Sequence, residues 1–215
     1  MIVQHNITSM NANRQLGIVG NNLAKSTEKL SSGYRINRAA DDAAGLAISE
    51  KMRAQVRGLN RASDNAQDGI SLIQTAEGAM DQQHAILQRA RELVVQASNS
   101  GVLDKASDDD FQKIQDELNE IGKEFERINT DTEFNKKKLL DGTYKSQYFQ
   151  VGANKEQGIS VTIAKTAWVK PTITSGDGKQ NSGVIDIIDD MIQGVTTERS
   201  KLGAVQNRLE YTVKV

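Results

Sequence analysis

The longest hydrophobic pattern in the chain runs from Asp41 to Ser98 and contains no proline. Apolar residues recur there about every 3.5 residues, which is the spacing of a coiled-coil seam. A helix over 42–98 would be about 85 Å long, so it needs partner helices along its whole length. Only Gln83 interrupts the stripe, which is formed by Ile48, Met52, Val56, Leu59, Ala62, Ala66, Ile70, Ile73, Ala76, Met80, Leu87, Ala90, Val94 and Ala97.

Two further stretches have helical spacing and could supply those partners. The pattern predicts a third helix over 107–129, antiparallel to the long helix because the connection between them is short. It predicts a fourth helix over 184–212, antiparallel to the third helix or to the long one. Their apolar stripes are Phe111, Ile114, Leu118, Ile121, Phe125 and Ile128, and then Ile185, Ile188, Ile192, Val195, Leu202, Val205 and Leu209. The predicted fold class is therefore mainly α, an elongated antiparallel helical bundle with coiled-coil-like packing.

The segments outside these three predicted helices have less regular patterns. Residues 1–34 form a looser amphipathic helix, which Gly17 and Gly20 weaken and for which the chain offers no free partner. A β-hairpin is predicted over 147–164, because two β-type runs flank a turn-forming stretch. Residues 165–183 read as a loop, and residues 129–147 as irregular.

Composition narrows the possible functions. The chain has 215 residues, a net charge of −1 and no cysteine. We therefore expect no nucleic-acid partner, no attraction to an anionic membrane and no disulfide framework. No apolar run reaches membrane-spanning length, and the N-terminal ten residues lack the basic and apolar regions of a conventional secretory signal.

Candidate chemistry is sparse. His5 and His84 are the only histidines and are not paired with other ligands. Asp108–Asp110 suit the first turn of a helix better than a metal site, and Gly176–Lys179 lacks the full spacing of a phosphate loop. Lys136–Lys138 is too short to indicate nucleic-acid binding. The sequence predicts no catalytic, cofactor or metal site, and hence no enzyme.

Several long motifs resemble the bacterial flagellins. They include MIVQHNITSMNANRQL, NNLAKSTEKLSSGYRINRAADDAAGLAISEKMRAQVRGLNRASDNAQDGISLIQTAEGAM, QRARELVVQASN, TEFNKKKLLDG, FQVGAN and LGAVQNRLE. The resemblance implies an N-terminal inner-core helix at 1–34, a spoke linker at 35–41 and an outer-core bundle at 42–215. It also implies that the variable outer domains are reduced to residues 165–183 and that the C-terminal inner-core helix, expected after Tyr211, is missing.

The resemblance further implies a function. Flagellins are exported by the flagellar type III machinery, assemble with other flagellin subunits into the extracellular filament used for motility, and are ligands of Toll-like receptor 5. The alternative is a generic coiled-coil module for signalling or tethering, which would leave the hairpin unexplained.

The resemblance also points to a site beside the stripe of the long helix. In flagellins, the segment that matches QRARELVVQ and a glutamate on the adjacent helix form the receptor-binding and subunit-contact surface. The matching residues here are Arg89, Glu92, Leu93, Gln96 and Glu117. The residues alone also allow a simpler interpretation, in which these charges form a salt-bridged flank and Leu93 belongs to a second core row.

Overall fold

The computed structural model describes residues 6–99, 108–174 and 178–214, and it confirms the predicted mainly α fold. Its helices are α1 (Ile7–Ser32), α2 (Ala43–Ser98), α3 (Asp108–Asp131) and α4 (Gly178–Lys214). Its strands are β1 (Glu133–Phe134), β2 (Lys137–Lys138), β3 (Gln147–Gln150) and β4 (Gly158–Val161), which form antiparallel pairs β1–β2 and β3–β4. His5 and the predicted helix start at residue 107 lie outside the described residues.

The chain divides into two compact units, Met1–Arg57 and Gly58–Val215. In the first unit, the Asn6 side chain caps α1 by accepting the Ser9 N–H, and Gly33 ends the helix in the left-handed conformation. The side chain of Asp42 then accepts the Gly45 N–H at 2.8 Å and caps α2. Local sequence signals therefore define both ends of α1 and the start of α2.

The first unit leaves its apolar stripe exposed. α1 has no buried residue among those described. On α2, Ile48, Met52 and Val56 are each more than half exposed, and the buried stripe begins only at Ala62. The expectation that partner helices cover α2 along its whole length is therefore not met in the described chain, because this part of the stripe is exposed.

The core of the second unit lies where α2, α3 and α4 meet. Residue numbers fall along α4 as they rise along α2 in the contacts Gly69–Leu209, Asp81–Arg199, Arg91–Asp189 and Ala97–Asn181. The same holds between α2 and α3 in the contacts Gln83–Asn129 and Arg89–Glu117. α2 is therefore antiparallel to both, and this core includes Ile73, Met80, Leu87, Val94, Leu118, Phe125, Ile188, Val195, Leu202 and Leu209.

The polar interruption of the stripe has a partner in the core. Gln83 is fully buried, donates to Asn129 Oδ1 at 2.8 Å and accepts from the Thr166 hydroxyl at 3.0 Å. Asn129 in turn donates to the Thr166 carbonyl at 3.0 Å. Each of these side chains is hydrogen-bonded, so the amide at position 83 joins two helices to the segment that follows β4.

That segment, residues 162–174, is called the strap. Although irregular, it is held to the helices through side-chain amides that bond its backbone. Gln115 donates to the Pro171 carbonyl and accepts a hydrogen bond from the Ile173 N–H. Asn181 donates to the Thr174 carbonyl and accepts a hydrogen bond from the Thr174 N–H. The expected loop at 165–183 is thus too long, because α4 begins at Gly178 and not at residue 184.

The chain between α3 and the strap forms two hairpins. The β1–β2 hairpin occupies a stretch expected to be irregular, and α3 continues to Asp131 before it. The β3–β4 hairpin was predicted, but its paired strands end at Val161 and not at residue 164. Asn65 on α2 donates to the Gln150 carbonyl at 3.1 Å and ties this hairpin to the bundle.

Candidate interaction surface on α2 and α3

The candidate surface brings together the charged side chains that the sequence singled out. Arg89 on α2 donates from Nε and Nη2 to Glu117 Oε1 on α3, at 3.1 and 2.9 Å. It also donates from Nη1 to Glu92 Oε2, one helical turn along α2, at 3.3 Å. The antiparallel packing of α2 against α3 therefore places one guanidinium between two carboxylates from different positions in the chain.

These groups stay in contact with solvent. The side chain of Arg89 is 54% exposed, that of Glu92 is 69% exposed and that of Glu117 is 44% exposed. The hydrogen bond with Glu117, and then that with Glu92, raises the pKa of Arg89 above its ordinary value. Exposed pairs of this kind stabilise a fold little, because water and salt screen them. The cluster chiefly fixes the orientation of the guanidinium on the surface.

Leu93 does not belong to the exposed surface. Its relative exposure is 2%, and it packs in the core among residues of α2, α3 and α4. The assignment of Leu93 to a receptor-contact surface is therefore corrected, since a partner could not reach its side chain without opening the bundle. The structure instead bears out the second core row, because α2 faces α3 and α4 together and needs more than one apolar row.

Gln96 remains on the surface, seven residues after Arg89 and hence on the same side of α2. Val95 lies beside it and is 46% exposed, which the sequence interpretation did not include. The sequence signal for an exposed Val95 is that this apolar residue lies off the predicted stripe. The described surface therefore consists of Arg89, Glu92, Gln96 and Glu117, with Val95 as an apolar neighbour.

The described residues contain no group of three or more His, Cys, Asp or Glu side chains that could hold a metal ion. His84 contacts Gln88, with their Nε2 atoms 3.0 Å apart. Within the same described ranges, no helix is both long and apolar enough to cross a membrane.

The described fold is that of a helical-bundle protein, an antiparallel bundle with a docked hairpin and a charged surface that spans two helices. Comparison of the sequence with known protein families identifies the family. Residues 3–145 match the bacterial flagellin N-terminal helical region, and residues 185–215 match the bacterial flagellin C-terminal helical region. The chain belongs to the bacterial flagellins and is a structural subunit of the flagellar filament.

Individual relatives agree with this assignment. A flagellin of Halalkalibacterium halodurans is 52% identical over 221 residues, which cover 100% of this chain and 79% of the relative. A flagellin of Bacillus subtilis is 48% identical over 248 residues, covering 99% and 81% of the two chains. The crystal structure of Bacillus cereus flagellin has a TM-score of 0.62 at 25% identity, covering 71% of this chain and 88% of that one. The alternative of a generic coiled-coil module is thus set aside.

Proposed function

We propose that the chain builds the filament by packing the exposed apolar stripe of its first unit against other flagellin subunits. The large apolar side chains on the described part of α1 are between 46% and 86% exposed. Contiguous exposed apolar surface marks an interaction site, and an isolated helix with such a stripe is marginal in water. In this proposal, residues 1–34 are the inner-core helix, 35–41 the spoke linker and 42–215 the outer-core bundle.

The proposed route to the filament is export by the flagellar type III machinery, followed by assembly outside the cell. A chain without cysteine has no disulfide to form before or after export. An inner-core helix that gains its partner only on assembly also fits coupled folding and association. The final location in this proposal is the extracellular flagellum.

The second proposed role is that of a ligand of Toll-like receptor 5, recognised through Arg89, Glu92, Gln96 and Glu117. The observation that carries this proposal is the contact of Arg89 with Glu117 across two helices, which presents a fixed and exposed guanidinium. Arginine is enriched among interface hot spots, because its planar fork binds while its stem packs. The same surface is proposed to contact neighbouring subunits in the filament.

The receptor role is tested by Arg89→Ala with Arg61→Ala as the matched control. Arg61 is also an exposed arginine of α2 that pairs with an acid three residues away, Asp64. We expect Arg89→Ala to weaken receptor binding by about thirtyfold, the scale of an interface hot spot, while Arg61→Ala leaves it unchanged. Binding is measured by surface plasmon resonance with the purified receptor ectodomain.

The thermal midpoint separates recognition from folding in the same experiment. Arg89 lies outside the core, so its replacement should leave the midpoint nearly unchanged. Unaltered receptor binding by Arg89→Ala would remove this residue from the proposed surface. A collapse of the midpoint would instead show that its contact with Glu117 is structural.

A further inference from the structure

The turn of the β1–β2 hairpin has an unusual residue at its second central position. Asn135 and Lys136 link the strands and both have positive φ, 49° and 63°. A two-residue turn of this type favours glycine at the second position, because a side chain is strained there. Backbone strain of this kind clusters at functional sites.

The hairpin holds this side chain in a defined place. Leu139 and Leu140 follow β2 directly and are fully buried, and the Leu139 N–H donates to the Thr132 carbonyl at 3.1 Å. Lys138 pairs with Glu133 across the strands at 3.1 Å. The two lysines that precede it have no such contact. Lys136 and Lys137 are exposed, and neither forms an ion pair with any residue that the structure describes. Two positive charges are thus presented on an anchored turn, which is called the basic tip.

A surface of opposite charge lies on α4. Asp186 and Asp190 are exposed, are one helical turn apart, and form no ion pair within the described ranges, whereas Asp189 pairs with Arg91 at 2.8 Å. Ile187 follows Asp186 in the sequence, lies to one side of this pair on the helix and is 36% exposed. Like charges four residues apart repel each other on a helix, so a cation placed between them would relieve this repulsion. This surface is called the acidic face.

We propose that the basic tip of one copy docks on the acidic face of a second copy. The two surfaces are complementary in charge, and Ile187 offers an exposed apolar neighbour against which the lysine stems can pack. Because the contact joins two different surfaces, each copy keeps one of each free for the next copy, which is how an open helical assembly grows. The inference rests on the assembly of like subunits and names one contact within it.

Charge reversal tests the contact on the full chain. The variants Lys136→Glu/Lys137→Glu and Asp186→Lys/Asp190→Lys are each expected to weaken self-association at low salt at least about tenfold. Combining all four substitutions restores attraction and should return the association constant to within about threefold of the original. The control, Lys145→Glu/Lys170→Glu, makes the same change in net charge at other exposed lysines and should have little effect. Association is followed by sedimentation velocity, with circular dichroism to verify folding.

Each result has a distinct meaning. A loss of association in the control equal to that of the tip variant would overturn the proposal, since net charge alone would then explain it. The proposal would also be overturned if the variant Lys136→Glu/Lys137→Glu associated normally but was no longer retained on a heparin column, because the basic tip would then bind polyanions. Absence of any association by the unaltered chain would overturn the broader assembly proposal as well as this contact.

A cross-linking experiment gives an independent measurement, because the chain has no cysteine of its own. A disulfide requires Cβ atoms about 4 Å apart, which is closer than an ion pair between a lysine and an aspartate brings them, so a short bismaleimide linker is used to join the two thiols. Mixing Lys136→Cys with Asp190→Cys copies in the presence of this linker should yield mostly the mixed dimer. The pair Lys145→Cys with Asp190→Cys serves as the control, and an equal yield from that pair would contradict the proposed contact.

Discussion

Gly122 on α3 should be more sensitive to a single added methyl group than other helical glycines of the bundle. A Cβ built there would lie 2.5 Å from Trp168 Nε1 and 2.7 Å from Trp168 Cε2, well inside any real contact distance. Trp168 cannot move freely, because its ring packs on fully buried Phe125 with centroids 5.6 Å apart. Gly122→Ala should therefore displace the strap from α3.

The expected magnitude is the difference between two opposing effects. Replacing glycine by alanine inside a helix stabilises it by about 1 kcal/mol. Overpacking costs about 1–3 kcal/mol, and the closeness of Trp168 puts this site at the upper end. Gly122→Ala should thus lower the free energy of unfolding by about 1–2 kcal/mol. Gly78→Ala is the matched control, because nothing lies within 4 Å of its added Cβ, and it should stabilise by up to about 1 kcal/mol.

The assay uses the only tryptophan of the chain as a local reporter. Urea unfolding gives the two free energies, while the emission spectrum of native Gly122→Ala should shift to the red as Trp168 leaves Phe125. The Gly78→Ala spectrum should match that of the unaltered chain. If Gly122→Ala were as stable as Gly78→Ala with an unshifted spectrum, the packing of the strap on α3 would be refuted.

Other perturbations test the core, its polar network, an electrostatic contact and the first unit. Phe125→Ala should destabilise by about 3–5 kcal/mol in urea unfolding, and Ile121→Ala by less, because Phe125 is fully buried and Ile121 only partly. Gln83→Ala should cost about 1–3 kcal/mol, measured the same way, because it leaves buried polar partners unsatisfied. The carboxylate of Asp141 accepts hydrogen bonds from Thr143, and these bonds hold the pKa of Asp141 below its ordinary value. The stability that Asp141 contributes should therefore be complete above the ordinary pKa and should be lost as the pH falls through the lowered pKa. An NMR titration of the Asp141 carboxylate measures the lowered pKa. Amide exchange should be faster throughout α1 than in the buried part of α2, since α1 has no buried residue.

The helices could be predicted because their periodicity is local. The stripe of α2 from Ala62 onward lies largely in the core, and polar Gln83 is buried at its expected place on that stripe. What the sequence could not show is the partner of Gln83, since Thr166 is far away in the chain and lies in a segment without periodicity. The resemblance, and not the helical spacing, implies a surface role for Leu93. Its burial matches the second core row that the residues alone allow, because one helix that touches two partners buries a wider face than a single seam.

The missed elements have weak local signals. The turn of the β1–β2 hairpin has lysine where its backbone geometry favours glycine, so the sequence lacks the usual hairpin pair. The start of α4 was placed too late because glycines at 178 and 183 suggest a loop. That first turn is instead held by Asn181, whose amide bonds the Ala97 carbonyl of α2 and the backbone of Thr174. Its helical state is thus determined by distant contacts that propensity does not report.

The two units differ in how their stability can arise. The second unit has its own apolar core, and amide side chains such as Gln83 and Asn181 bond its irregular strap. In the first unit, the described part of α1 is defined by its caps, and its apolar side chains remain in water. Because a helix gains most of its stability from burial of its apolar face, substitutions on the α1 stripe should alter assembly far more than the unfolding of the second unit. In such a subunit the second unit can remain folded before assembly, while the apolar side chains of α1 stay exposed and available to bind neighbouring subunits.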